Sequence, residues 1–201
     1  PRRHPEPATP PPPRAAGGSP DNPGPPTGTP AATFARALST LQRESGLSHT
    51  DLGAAARVDR SYISRIVIGE RLPSWKVTRR FADACGADPE ELRPLWDAAR
   101  GYRPTRPGHL GALLRGMHLA SGLVGADLLH ARTGNQVSID EINGLLAGTR
   151  TADWPTVEGL VTAMRAEPAT VRPLWEAATT PHVPQSLPPT PGLTTYAHHF
   201  G

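Results

Sequence analysis

The chain has 201 residues, among them 25 prolines and 20 glycines, with 21 basic against 18 acidic side chains and a formal charge of +3. No apolar run approaches the ~20 residues that span a bilayer, and none is flanked as a secretory signal would be. The single cysteine, Cys85, excludes an internal disulfide framework and suits a reducing compartment, with the cytosol as the expected location.

Residues 1–33 are mostly Pro, Gly, Ala, Thr and Ser. With almost nothing apolar to bury they cannot offset their ordering entropy, and a disordered, partly polyproline-type arm is expected. Phe34, Leu38, Leu41 and Leu47 then follow helical spacing, with a stop at Gly46. Ser48, with Asp51 three residues on, caps a short second helix, "HTDLGAAA". Arg57-Val58-Asp59 turns the chain, Asp59 caps a third helix from Arg60 to Ile68, and Gly69 ends it. Ser74 opens a fourth helix, "SWKVTRRFADACG", in which Cys85 reads as a small buried hydrophobe. Asp88 and Pro89 open a fifth, "DPEELRPLWDAAR".

The third helix is lopsided. Leu52, Val58, Ile63 and Ile66 point inward, leaving Arg60, Ser61, Tyr62, Ser64 and Arg65 on the outward face. A solvated helix surface would look similar, so the surroundings decide. From Arg57 to Arg80 seven basic side chains (Arg57, Arg60, Arg65, Arg71, Lys76, Arg79 and Arg80) stand against two acidic ones, a local net of +5. Such a concentration beside a helix of groove-fitting size is what neutralising DNA phosphates demands.

The middle of the chain is written twice. "RPLWDAAR" (93–100) returns as "RPLWEAAT" (172–179) at a spacing of 79, and "IVIGER" (66–71) as "LLAGTR" (145–150). Earlier positions match at 76: Leu38 with Leu114, "SGL" (45–47) with "SGL" (121–123), and "DL" (51–52) with "DL" (127–128). The expectation is two tandem five-helix units in an all-α chain, residues 34–100 and 110–179. Residues 101–109, "GYRPTRPGH", form a linker and residues 180–201 a disordered tail. Three extra residues of the second unit are expected between Leu128 and Ile142. Its stretch Thr133–Gly159 has one basic and four acidic side chains, a net of −3, while the apolar positions persist. A degenerate copy that folds but is repelled by DNA is expected, with a packing, dimerisation or ligand-sensing role. Trp75, Trp96, Trp154 and Trp175 fall at helical spacing and read as core rather than as base-stacking platforms.

The stretch "LSHTDLGAAARVDRSYISRIVIGERLPSW" resembles the Xre/Cro-repressor family of helix-turn-helix proteins, in which a leucine-alanine helix and a turn lead into "S-x-I-S-R-x-x-x-G-x-x-x-P". Leu52, Ser61, Ile63, Ser64, Arg65, Gly69 and Pro73 match that pattern, and "LPSW" and "RPLWDAAR" are similar to signatures of actinobacterial members. The resemblance implies a lambda-repressor-like fold for residues 34–100 and a DNA-binding transcription regulator acting as a dimer on a two-fold site. It also implies that Arg60, Ser61, Tyr62, Ser64 and Arg65 read bases. His49 and Thr50, at a helix N-terminus, would meet phosphate, as would Arg57, Arg71, Lys76, Arg79 and Arg80. One position departs: the turn residue usually Gly is Arg57, which predicts a looser turn.

No catalytic constellation, cofactor motif or metal-ligand spacing is present, and His198-His199 stand without further ligands. The rival to a DNA-binding regulator is a protein-interaction adaptor, or the regulatory head of a larger multidomain protein. The acidic second unit and the Pro-rich ends motivate that alternative.

Overall fold

Apolar spacing and explicit end signals produce ten helices and no strand among the described residues. The computed structural model describes residues 28–103 and 109–180. The arm up to residue 27, residues 104–108 of the linker, and the tail from residue 181 lie outside them.

Helix α1 spans Pro30–Ser45. It starts earlier than expected because Thr29 Oγ1 accepts the Ala32 N–H at 3.3 Å and Pro30 suits the first turn. Residues 30–33, assigned to the arm on composition, are therefore helical, and Ala32 and Thr33 are buried. Helices α2 (His49–Ala56), α3 (Arg60–Val67), α4 (Trp75–Ala84) and α5 (Pro89–Ala99) follow the sequence pattern closely. Ser48 and Asp51 form the full capping box, the Asp51 N–H donating to Ser48 Oγ and the Ser48 N–H to Asp51 Oδ2. Asp59 occupies the N-cap of α3, but its side chain makes no capping bond.

The α2–α3 turn is tight rather than loosened. Arg57 takes the left-handed conformation (φ 58°, ψ 51°), and its N–H donates to Ala54 O at 3.2 Å. The Val58 N–H donates to Gly53 O at 2.9 Å. Gly53 permits this closeness: a Cβ there would sit 2.8 Å from the Val58 carbonyl oxygen.

Helices α6 (His109–Ala120), α7 (Ala126–Arg132), α8 (Ile139–Ala147), α9 (Trp154–Ala163) and α10 (Pro168–Thr179) complete the chain. α6 packs along both α1 and α5. Phe34, Leu38, Leu92 and Leu95 thus share one continuous core with Leu113, Leu114 and Met117, all almost wholly buried. Gly116 lets α6 approach: a Cβ there would lie 2.7 Å from Leu95 Cδ1. Arg115 Nε donates to Glu91 Oε1 at 2.8 Å, and an Arg36 guanidinium nitrogen donates to Arg165 O at 3.1 Å, tying the halves at two further points.

Each half carries the same tryptophan arrangement. Trp96 Nε1 donates to Pro73 O at 2.9 Å with Trp75 tilted against it at 5.5 Å. Trp175 Nε1 donates to Ala152 O at 2.8 Å with Trp154 at 5.5 Å. The indoles are packing elements, Trp96 buried and the other three half-buried, with the Arg93 guanidinium over Trp75 and that of Arg172 over Trp154. Cys85 is half-buried rather than buried; it packs against the edge of the core, and burial pushes its thiol pKa up.

The correspondence between the halves shifts at one point. Leu52 is fully buried, but Leu128, paired with it at a spacing of 76, is 49 % exposed, and Leu129 is the buried residue. One of the three extra residues therefore enters before α7, where Leu123 adopts φ 55°. The others lengthen the α7–α8 turn, in which Gly134 and Asn135 are left-handed and Val137 is buried.

Candidate nucleic-acid interface

α3 is an eight-residue helix whose buried side chains are Ile63 and Ile66, seated on α1 and α2. With about 100° per residue, Ser61, Ser64, Arg65 and Ile68 then form the opposite stripe, at spacings of three, four and seven. The structure bears this out as a shape. An open groove of about 450 Å³ is lined by His49, Arg60, Ser61, Ser64, Arg65, Ile68 and Glu70. Arg60, Ser61 and Arg65 are exposed, Ser64 and His49 half-buried.

Tyr62 is the exception among the expected base readers. It lies on the flank of α3, half-buried against the core, with the Arg71 guanidinium 5.7 Å above its ring. The helical angle explains this: Tyr62 adjoins Ile63 and Ile66 rather than the outer stripe.

The residues expected to meet phosphate are partly sorted by their partners. Thr50, at the start of α2, and Arg57, Arg71, Lys76 and Arg79 are exposed. Arg80 is half-buried, and its Nη1 donates to Ala56 O, the last carbonyl of α2, at 3.3 Å. Other arginines do the same: Arg115 bonds Leu146 O near the end of α8, and Arg132 bonds Ala163 O at the end of α9. Helix C-terminal carbonyls lack intrahelical donors, so a cation there is stabilising. Part of the arginine content is thus architectural.

Two groove residues were absent from the sequence-based set: Ile68 and Glu70. Ile68 looked like the end of an apolar run, "IVIG", but it sits two residues past the buried Ile66, on the far side of the helix. Its helical phase was the available signal.

The aligned face of α8 is differently built. At the spacing of 79, Arg60, Ser61, Tyr62, Ser64 and Arg65 correspond to Ile139, Asp140, Glu141, Asn143 and Gly144. Glu141 is engaged in a capping box, its Oε2 accepting the Ser138 N–H at 3.0 Å. The Arg150 stem covers Gly144, where a Cβ would meet Arg150 Cδ at 2.8 Å.

Among the described residues no group of His, Cys, Asp or Glu is placed to hold a metal ion, and no helix is long and apolar enough to cross a membrane. Residues 33–95 match the family model of a helix-turn-helix domain. That span runs from the first turn of α1 into α5, so this part of the chain is a helix-turn-helix domain with α2 and α3 as its paired helices. No curated protein and no solved structure matches the chain.

Proposed function

We propose that the protein is a sequence-specific, double-stranded-DNA-binding transcription regulator of the Xre/Cro-repressor type, with α3 as the helix that enters the major groove. The observation that carries this reading is the exposed groove in which Arg60, Ser61, Ser64 and Arg65 converge with His49, on a helix anchored to the core by the buried Ile63 and Ile66. Arg60 and Arg65 offer paired N–H donors that suit guanine O6 and N7, while Ser61 and Ser64 suit either bases or phosphates. Tyr62, held beneath Arg71, supports the flank of the helix and positions that arginine. Thr50, Arg57, Arg71, Lys76 and Arg79 surround the groove as phosphate contacts, releasing counterions on binding.

Residues 110–179 are, in the same proposal, a diverged second unit that braces the first and does not read DNA. Its α8 face presents Ile139, Asp140 and Asn143 where the first has Arg60, Ser61 and Ser64. The exposed Leu123 and Leu128 favour that half as the surface through which two copies meet on a two-fold site. Half-sites would then lie about one helical turn apart.

Selection of bound duplexes from a random DNA pool tests the reading. Enrichment of one motif, with affinity falling steeply as salt rises, is the expected result. Failure of any duplex to be retained at low salt overturns it and leaves the adaptor alternative.

A further inference from the structure

Ile68 is an aliphatic side chain held in water without a folding reason. It is 57 % exposed, whereas Ile63 and Ile66 beneath it already fill the core at 0 % and 1 %. It stands seven residues after Ser61, on the same line of the helix surface, and lines the same groove as Arg65. Beside it is Glu70, whose carboxylate forms no ion pair among the described residues. An apolar group next to a carboxylate is a poor surface for phosphate, which repels the one and gains nothing from the other. That end of the groove therefore suits base edges. There the major groove displays a single apolar feature, the C5-methyl group of a pyrimidine.

We infer that Ile68 is a specificity-determining residue that packs against a pyrimidine C5-methyl group, whether of thymine or of 5-methylcytosine, at the major-groove edge. The inference rests on the proposed docking of α3 and adds to it a preference that hydrogen bonding alone does not supply. If the base is 5-methylcytosine, the carboxylate of Glu70 fits beside it, since it can accept from the N4 amino group.

The experiment uses the full chain and the duplex enriched from a random pool. In one arm each thymine is replaced in turn by deoxyuridine, which removes only the methyl group. In the other each cytosine is replaced by 5-methylcytosine, which adds one. The wild-type protein is expected to change affinity by about fourfold at one position of each half-site, in the direction that favours the methylated base, as burial of one methyl group implies. Ile68→Ala should bind both forms alike while keeping the salt dependence and the guanine preferences of the wild type; Ile68→Val should keep part of the discrimination. A methyl effect in the thymine arm alone identifies thymine as the source, and one in the cytosine arm alone identifies 5-methylcytosine. A wild type indifferent to the methyl group at every position, or an Ile68→Ala variant that still discriminates, overturns the inference and leaves the DNA-binding reading intact. If no duplex is enriched, both fall together.

Discussion

Arg65 and Arg80 both belong to the basic stretch that the sequence assigns to DNA contact, and their partners separate them. Arg65 is exposed in the groove, whereas Arg80 is half-buried and donates to the last carbonyl of α2. Arg65→Ala or Arg60→Ala should therefore lose about 1–3 kcal/mol of binding to the selected duplex and relax base preference at one position, read by competition against single-base variants. Arg79→Ala should weaken selected and random duplexes alike and flatten the salt slope. Arg80→Ala should instead destabilise the fold by about 1 kcal/mol, seen as an earlier midpoint in denaturant unfolding. Equal loss of specificity from Arg65→Ala and Arg79→Ala would remove Arg65 from the base-reading set.

At the scale of elements, the turn between α2 and α3 and the caps set the angle at which the groove is presented. Gly53→Ala drives a Cβ into the Val58 carbonyl and should destabilise the protein by about 1–3 kcal/mol, since rigid backbone must move. Arg57→Gly relieves a left-handed side chain and should raise the melting temperature while lowering affinity for random DNA, because a basic residue beside the groove is lost. The two capping boxes make acid stability specific. Hydrogen bonds from Ser48 hold the Asp51 carboxyl below the usual range, and those from Ser138 do the same for Glu141. A carboxyl lowered in the folded state adds stability that is full above its unfolded pKa and lost as pH falls through the folded one. The stability gap between wild type and a Ser48→Ala, Ser138→Ala double variant should thus be largest near neutral pH. It should narrow below about pH 4, as chemical denaturation at a series of pH values would show. A gap that stayed constant into acid would remove the carboxylates from the explanation.

Across the whole molecule, α6 joins the halves through one core, so residues 109–180 brace the helix-turn-helix domain rather than trailing from it. Unfolding should be a single cooperative transition by both tryptophan fluorescence and helical circular dichroism, which fits a shared core. Gly116→Val should wedge α6 from Leu95 and separate that transition into two, or lower its midpoint sharply. Two independent transitions in the wild type would contradict the shared core.

From α2 to α5 the helix positions were legible because caps, glycine stops and apolar spacing are local: Ser48, Ser74, Asp88 and Pro89 each sit where the chain's own pattern places them. The outward stripe of α3 was legible for the same reason, since Ile63 and Ile66 alone define its opposite side. Other outcomes needed the folded chain. Tyr62 turned to the flank, Ile68 joined the groove, Arg80 bonded a carbonyl, Leu129 rather than Leu128 entered the core, and α6 packed against both α1 and α5. Local rules decide where a helix begins and which face is apolar. Which arginine finds a carbonyl, and which leucine finds a neighbour, depends on chain segments distant in sequence, and only their packing brings those within reach.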